Sequence, residues 1–451
     1  MKKLLISAVA VASLFAAPTV EDLQKQITDL QTQLKELKSS QETTASDLQG
    51  VKQAHYEDHI NFHYDIRTSI DYLYYKMKNG DKYTNNVLSN RVILTGLAKA
   101  SDNLKATLKL EAYNLFGMNN PAQNDNSNAT ANETPDDTNI RVKEAFFNYF
   151  FGEDGEYMFS AGRRPAVGGY PANLRESDVP TSPVAHLVNM EFDGVSLWFK
   201  SDAMGSLGED YGTNIKFCFG RGYSSSVGKF AQNPSYSKSE LASNDMGGFL
   251  LIPYNDDQYS VWWENIWAWH MQGMIDKDGD KKPETMADVG SYFGSNIIFK
   301  ADGVGEEISD FLDDTKAFVS FAYTKTNPNS NGMLGTTSSK SGYSVWIGAD
   351  MPANEDGDRF GVNIVKGSKY YRAMTYGEDT LAGSIAAVRG LALDAYYNKT
   401  LIENLTVNFR ATYFNYSDAG SDAFFGDDGN PNQPNYVEKA TDIRAYIRYN
   451  F

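Results

Sequence analysis

The last twelve residues constrain the fold more than any other stretch. Residues 440–451 read A-T-D-I-R-A-Y-I-R-Y-N-F. Side chains alternate faces along a strand, so the apolar residues share one face and the charged and polar residues share the other. Two arginines and an aspartate would be costly on the buried face of a soluble sheet. The pattern therefore predicts a strand with one face toward lipid and the other toward a wet lumen. The alternative is the last edge strand of a soluble β domain.

The composition agrees with a membrane barrel and argues against other classes. The chain has 28 Tyr and 25 Phe among 451 residues, and aromatic girdles are typical of such barrels. The net charge of -17 argues against nucleic-acid binding. Cys218 is the one cysteine, which excludes an intramolecular disulfide framework and a Cys-rich metal site.

The first 53 residues predict two segments that precede the barrel. Lys2 and Lys3 stand before an apolar run at 4–17 that is too short to span a membrane, so residues 1–16 are predicted to be a signal peptide. Residues 17–53 are predicted to form a coiled coil, because apolar residues recur alternately at three and four positions. The seam is Leu23, Ile27, Leu30, Leu34 and Leu37. Such a seam needs a partner to stay dry, which favours self-association. The alternatives are a helix that folds back on the barrel and one that frays after Leu37.

The alternation of the last strand recurs through residues 56–451, which are predicted to form an all-β, transmembrane antiparallel barrel of about sixteen strands. In 60–72, the residues predicted to face outward are Ile60, Phe62, Tyr64, Ile66, Ile70 and Tyr72. Two stretches remain ambiguous, since 141–151 carries aromatic residues on both faces and 249–252 is apolar throughout.

The lengths of the connections support this topology. Short links are predicted at 101–103, 152–156, 255–257, 352–358 and 402–404, and long polar links lie between them. Outer-membrane barrels have short periplasmic turns and longer external loops. The links at 201–212 and 301–314 are too long for this rule, and the second is expected to hold a helical turn.

Several long strings resemble a porin-like outer-membrane family of unknown function. They are G-R-R-P at 162–165, N-L-R-E at 173–176, S-P-V-A-H-L-V-N-M-E-F-D-G at 182–194 and G-S-K-Y-Y-R-A-M-T-Y-G-E-D-T at 367–380. The resemblance implies the bacterial outer membrane, with outer-membrane lipid around the barrel. An even number of strands places the coiled coil in the periplasm. The resemblance also implies a homotrimer. If the helix does not hold the trimer together, the alternative is that it tethers the barrel to the cell wall. Tyr449 and the terminal Phe451 resemble the signal that the barrel-assembly machinery recognises.

The resemblance also implies that the third external loop, at 165–194, folds inward and narrows the barrel. Its acidic groups would then face basic residues of the strands and sort ions or dipolar solutes. The residues predicted to line this constriction are Asp65, Arg67, Lys105, Lys109, Glu111, Arg164, Arg175, Glu176, Asp178, Arg410, Arg444 and Arg448. The alternatives are a loop over the mouth and a loop that packs as a plug. Arg163 has the outward parity and could reach lipid headgroups instead.

A calcium site is a weaker hypothesis. Asp276, Asp278 and Asp280 have a spacing that offers oxygen atoms to calcium. Lys281 stands where an EF-hand loop has its glycine, and Ala287 stands at the twelfth position. An ordinary solvated acidic loop is the alternative, and no other cofactor is predicted.

The predicted function is passive diffusion of small hydrophilic solutes or ions through a water-filled barrel. An enzyme is not predicted, because no nucleophile motif accompanies the five histidines. The tryptophans at 262, 263, 267 and 269 favour an aromatic belt or a subunit interface, with a stacked sugar slide as the alternative. The alternative function is a loop-occluded barrel that acts as an adhesin or a cell-wall anchor.

Overall fold

The computed structural model describes residues 60–116, 139–224, 243–275, 285–305, 308–354, 357–375, 381–420 and 429–451. The predicted signal peptide and coiled coil, with its seam of Leu23, Ile27, Leu30, Leu34 and Leu37, lie outside these residues. So do Asp276, Asp278 and Asp280. None of the helices in the described ranges has the length and apolar character needed to cross a membrane.

Sixteen antiparallel strands form a closed barrel, which confirms the predicted fold. In chain order they are β1 (Ile60–Met77), β2 (Lys82–Ser101), β3 (Leu104–Leu115), β4 (Asn139–Phe151), β5 (Tyr157–Arg164), β6 (Phe192–Phe199), β7 (Asn214–Ser224), β8 (Ser243–Asn255), β9 (Tyr259–Ile275), β10 (Thr285–Asp302), β11 (Lys316–Pro328), β12 (Ser341–Pro352), β13 (Arg359–Gly367), β14 (Gly390–Ile402), β15 (Leu405–Tyr416) and β16 (Val437–Asn450). Each strand pairs with its chain neighbour, and β16 pairs with β1 to close the barrel.

The strands alternate apolar residues outside with polar residues inside, as the sequence predicts. On β16, Ile443 and Ile447 are exposed on the outer face, whereas Arg444 and Arg448 are buried on the inner face. The outward residues predicted for β1 are all exposed as well. An apolar exterior around a polar interior is the arrangement that a lipid surround stabilises.

A β-bulge in β4 changes which residue parity faces outward within that strand. The register between β3 and β4 shifts at Lys109 and Leu110. Val142, Phe147 and Tyr149 are therefore all exposed on the outer face although their numbers differ in parity. The extra residue of a bulge changes which face a given parity occupies.

The links differ at the two ends of the barrel, which we call the turn end and the loop end. The turn end carries links at 102–103, 152–156, 200–213, 256–258, 303–315, 353–358 and 403–404. The two long ones hold short helices, α1 (Ser206–Tyr211) and α2 (Asp310–Asp313). The loop end carries the other links, and its first link, 78–81, is tight. The strict alternation of short and long links predicted from the sequence is therefore broken there.

Two links of the loop end enter the barrel, and we call them the first inner loop (165–191) and the second inner loop (368–389). They meet in a two-residue parallel sheet, in which Val188–Asn189 pairs with Met374–Thr375. The Tyr371 hydroxyl donates to the carbonyl of His186 at 2.6 Å. Arg389, at the base of the second inner loop, donates to the carbonyl of Tyr371 at 2.9 Å. The lumen therefore contains two loops that support each other.

Candidate functional site

One side of the inner wall holds the first inner loop by apolar contact. Tyr170 packs against Phe318 in a T-shaped arrangement with ring centroids 5.6 Å apart, and against Trp262 at 6.0 Å. Val184 and Ala185 of the same loop are fully buried. The inward residues that receive the two loops form the packed arc, which consists of Ile298, Phe318, Trp346, Val365, Ala392 and Phe414.

His186 anchors the first inner loop within the packed arc. Its Nδ1 lies 2.8 Å from the Ser320 hydroxyl and its Nε2 lies 2.9 Å from the Ser344 hydroxyl. Its ring meets the Trp346 ring edge-on at 5.6 Å. Burial lowers the pKa of His186 from 6.5 to about 3, because a protonated ring would lose its hydration. The neutral ring can satisfy one hydroxyl as a donor and the other as an acceptor.

The first inner loop then crosses the lumen toward the opposite wall. A short 3₁₀ turn, Ala172–Glu176, carries the loop across. The side-chain amides of Asn398 on β14 and Asn408 on β15 lie 2.9 and 3.5 Å from the carbonyl oxygen of Arg175, to which they donate. These contacts place the next residue, Glu176, against β1, β2 and β16.

Three arginines from three strands surround the Glu176 carboxylate. Arg67 Nη1 lies 3.1 Å from Oε1, Arg91 Nη2 lies 3.4 Å from Oε2, and Arg448 Nη1 lies 3.2 Å from Oε2. The Tyr446 hydroxyl also donates to Oε1 at 3.2 Å. Burial would raise the pKa of Glu176, but the guanidiniums of Arg91, Arg448 and Arg67 hold it well below 4.5. Glu176 is therefore ionised and fixed in place.

Two further carboxylates complete this ion-pair network. Asp65 accepts from Arg448 Nε and Nη2 at 3.0 and 2.9 Å, and from Arg91 Nη2 at 3.0 Å. Asp178 of the first inner loop accepts from Arg448 Nη1 and Nη2 at 3.0 and 3.2 Å. Arg448 thus joins the wall to the loop, and its planar guanidinium suits such paired contacts.

Other charged residues pair across neighbouring strands on the same side of the lumen. Arg410 Nε lies 2.6 Å from Asp394, whose carboxylate also accepts from Thr412. Arg444 pairs with Asp71. On β3 and β4, Lys109 lies 2.6 Å from Glu144 and Glu111 lies 2.9 Å from Lys143. We call these side chains and the Glu176 network the charged arc.

A cavity of about 350 Å³ lies between the charged arc and the first inner loop. Most of its lining residues carry polar or charged side chains, among them Asp65, Arg91, Lys109, Glu144, Glu176 and Arg448. Because the charges around it are paired, the cavity offers hydrogen-bonding groups of both signs with little excess of either. Such a lining can replace water around a small polar solute.

The structure brings together most of the residues predicted to line a constriction. Eight of them line the cavity, and Arg67 and Glu111 pair with groups that do. Lys105 does not line it, because it lies toward the turn end with its ammonium 5.5 Å from the Phe150 ring. Arg164 lies on the other side of the first inner loop, where it donates to Ser160 at 3.0 Å and borders a pocket of about 50 Å³.

The predicted loop boundary at 194 is wrong, because β6 begins at Phe192. Asp193 therefore belongs to the wall, where it faces outward and pairs with Arg163 at 2.8 Å. Arg163 is thus on the outer face, as its parity indicates. Glu191 remains in the loop and lies 3.5 Å from Lys143.

Sequence reasoning missed Arg91, Lys143, Glu144 and the whole second inner loop. Arg91 faces Arg67 across the first two strands, and extending the alternation of β2 would have placed it inside. Lys143 and Glu144 lie at the bulge, so the alternation of faces does not predict their position. The small apolar run at 382–388 is the available signal for the second inner loop, because a solvated loop has no need for it.

The tryptophan cluster divides between the two faces of β9. Trp263, Trp267 and Trp269 are exposed on the outer face, where an aromatic belt is expected. Trp262 faces inward against Tyr170. Among the described side chains, His, Cys, Asp and Glu do not gather in groups of three or more that could hold a metal ion.

Comparison with known proteins identifies the family. Residues 81–451 match the family described as "Protein of unknown function (DUF3373)", so the chain belongs to it. The predicted family of unknown function is thereby confirmed. No curated protein matches the chain.

Solved barrels are similar to this chain at low sequence identity. The Salmonella typhi OmpF complex with daunomycin is 13% identical with a TM-score of 0.47, covering 87% of this chain and 97% of that one. The anion-selective porin from Comamonas acidovorans is 12% identical with a TM-score of 0.47, covering 87% and 99%. The trimer form of Vibrio cholerae OmpT is 10% identical with a TM-score of 0.44, covering 87% and 99%.

Proposed function

We propose that this member of the DUF3373 family is a bacterial outer-membrane porin that allows passive diffusion of small hydrophilic solutes or ions. The observation that carries the proposal is the cavity beside the charged arc, inside a closed barrel with an apolar exterior. The path would follow the charged arc and not the barrel axis, because the inner loops occupy the packed side. The eight predicted residues that line the cavity would border this path, and Arg67 and Glu111 would pair with residues that border it.

The paired charges favour weak selectivity between ions. Each carboxylate of the Glu176 network is within about 3.5 Å of a guanidinium, so the field of each charge is largely cancelled a few ångströms away. A solute with both donors and acceptors could exchange its water for these groups as it passes. Small polar solutes suit such a path better than large or strongly charged ones.

The second candidate is a loop-occluded barrel that serves as an adhesin or a cell-wall anchor. The specific observation in its favour is that two loops enter the lumen and bury apolar residues there, among them Leu187 and Ile385. A barrel filled in this way needs no permeation to be stable. In this case the predicted coiled coil would act as the tether.

We place the loop end at the cell exterior and the turn end in the periplasm, because long links are external in outer-membrane barrels. Export by a signal peptide, a periplasmic coiled coil and a homotrimer remain parts of the proposal. Tyr449 and Phe451 stack with ring centroids 6.4 Å apart on the outer face at the turn end. That position suits the proposed assembly signal.

Single-channel recording in planar bilayers tests the proposal. We expect discrete conductance steps and a small reversal potential under a salt gradient. The Glu176→Gln variant must change that potential, which separates the protein's own current from that of a contaminant. Folded protein that gives no steps above the bilayer background would contradict the porin and favour the occluded barrel.

A further inference from the structure

A row of alternating charges crosses the outer surface of the barrel from β5 to β8. Arg163, Asp193, Arg221 and Asp245 are direct cross-strand neighbours, one on each strand. Their side chains are between 36 and 58% exposed. Arg163 lies 2.8 Å from Asp193 and Arg221 lies 2.7 Å from Asp245. We call these four residues the charged row.

The charged row lies closer to the turn end than charges should lie on a surface that contacts only lipid. On β5, Tyr157, Phe159 and Ala161 are the outward residues before Arg163. Six residues at ~3.4 Å each, tilted by about 40°, raise Arg163 roughly 16 Å above the turn end. The apolar band of a membrane barrel is about 25 Å tall. The row therefore falls within the depth of the hydrocarbon, where uncovered charges are costly.

The opposite wall has no such interruption. On β15, the outward residues Leu405, Val407, Phe409, Ala411 and Tyr413 follow one another without a charge. Eight residues at ~3.4 Å each, tilted by about 40°, carry this apolar series to roughly 21 Å, which is above the height of the charged row. On β13 a single outward charge, Lys366, reaches a similar height, and a lone lysine can extend its ammonium toward the headgroups. Four adjacent charges at this height occur, among the described strands, on β5 to β8, and something specific must cover them.

We propose that the outer face of β5 to β8 is the interface between copies of this chain in a cyclic oligomer, with the symmetry axis facing the junction of β6 and β7. Rotation about an axis along the membrane normal keeps the row at one height. It brings Asp193 of one copy opposite Arg221 of the next, and Arg163 opposite Asp245. The alternation of four charges is therefore complementary to its own rotated image.

The surroundings favour another copy over a lipid headgroup. Val195 and Phe219 lie just below the row and are 39 and 56% exposed, so the face also offers apolar contact. The row is neutral by internal pairing, whereas a phosphorylated lipid is attracted by unpaired positive charge. A copy of the chain supplies both the apolar contact and the opposite charges.

Cysteine crosslinking in outer membranes tests the location. Val195→Cys is placed in a Cys218→Ser background and treated with a short bis-maleimide reagent. Ile364→Cys in the same background is the matched control, since Ile364 is exposed on the outer face of β13, away from the row. We expect crosslinked dimers at position 195 and at least tenfold less product at position 364. An oligomer that fails to crosslink at 195 would overturn the proposal.

A charge variant tests the row itself. Arg221→Gln with Asp245→Asn removes one half of the complementarity, and Lys325→Gln with Lys366→Gln is the control elsewhere on the outer wall. Native mass spectrometry should show loss of the oligomer in the first variant alone, with heat-modifiable migration proving that the barrel is folded. If the first variant does not fold, the crosslinking result decides.

Three results would refute the interface. They are a monomeric wild-type protein, a row variant that folds and keeps its full oligomer, and a row variant that loses only bound phosphorylated lipid. The last would assign the row to a lipid surface. None of these measurements depends on conductance, so they stand apart from the test of the porin.

Discussion

The packed arc and the charged arc hold the same loop by different means. At the packed arc, His186 of the loop and Trp346 of the wall are fully buried, and the contacts are made by rings, methyl groups and two hydroxyls. In the charged arc, Glu176 and Asp178 meet guanidiniums at 3.0 to 3.4 Å beside a cavity. Side chains fill the lumen beside the packed arc, whereas a cavity remains beside the charged arc.

This difference suggests a division of labour within one loop. Burial of apolar area favours docking without strong dependence on orientation. Buried ion pairs give little net stability, because desolvation offsets much of their attraction, but their geometry is directional. The packed arc should therefore hold the first inner loop in the barrel, and the charged arc should set the position of its tip and the charge beside the path.

Trp346→Ala should have the largest effect, and it should act on stability. The indole is fully buried, donates to Asn363 at 2.9 Å and packs against His186 and Phe318. Loss of such a side chain costs about 3–5 kcal/mol. Urea unfolding of the protein in lipid vesicles measures the change. Ile347→Ala, on the outer face of the same strand, should lower the free energy of unfolding clearly less. Equal losses in the two variants would show that the packed arc contributes no more to stability than the exterior.

Glu176→Gln should change ion selectivity more than any other single change in the charged arc. It leaves Arg67, Arg91 and Arg448 with one carboxylate fewer, so the path gains net positive charge and should favour anions. The reversal potential under a salt gradient should shift accordingly. Glu438→Gln is the control, because Glu438 pairs with Lys76 and Lys78 at the loop-end rim. An equal shift in both variants would locate the selectivity at the rim.

As the pH falls, contacts of the first inner loop with the packed arc should weaken before its ion pairs with the charged arc. The pKa of His186 is lowered to about 3 in the docked loop, so an undocked loop with an ordinary pKa of 6.5 takes up a proton first. Docking should weaken by up to about tenfold per pH unit as the pH falls from 6.5 toward 3. The pKa of Glu176 is held below 4.5, so its contribution is present above pH 4.5 and is lost only as the pH falls through the lowered value.

A spin label at position 179 of the first inner loop can report this pH dependence. Its mobility should rise between pH 6.5 and 4.5 in the wild-type background. The His186→Gln variant should show a flat profile over the same range. A rise that persists in this variant would assign the effect to another group.

Lys109→Gln should give the smallest effect, and it locates the path along β3. Lys109 borders the cavity and pairs with Glu144, whereas Lys105 lies four residues away on the same strand and outside the cavity. Removing the Lys109 charge should shift the reversal potential toward cations by a few millivolts. Lys105→Gln should leave it unchanged. A larger shift from Lys105→Gln would place the narrow region nearer the turn end.

The alternation of faces could be predicted from the sequence because lipid selects every outward residue of a strand. Arg444 and Arg448 were assigned to the lumen on this basis, and both are buried there. The rule failed at β4, where the bulge changes the parity within one strand. A bulge depends on backbone geometry and on the partner strand, neither of which appears in the local residue pattern.

The site was less predictable than the wall. Glu176 and Arg448 were both expected near a constriction, but as charges facing each other and not as a direct pair 3.2 Å apart. The polar residues around the second inner loop in the chain predict a solvated link, whereas the structure places the loop inside the barrel. Its role depends on contacts with residues such as His186, which a reading of single segments cannot find. The place of Arg164 beside the small pocket was unpredictable for the same reason. The path of the first inner loop across the lumen decides whether a wall residue faces the cavity or the pocket.

The pairing of the two inner loops bears on the order of assembly. The Tyr371 hydroxyl and the carbonyl of His186 that it meets are 185 residues apart in the chain. The first inner loop therefore cannot reach its final position until β12 and β13 have been added to the growing sheet. Contacts so distant in sequence carry a large loop-closure cost and form late. A nascent barrel would thus pass through a stage with an open interior, and the filling of the lumen would mark the completion of the wall.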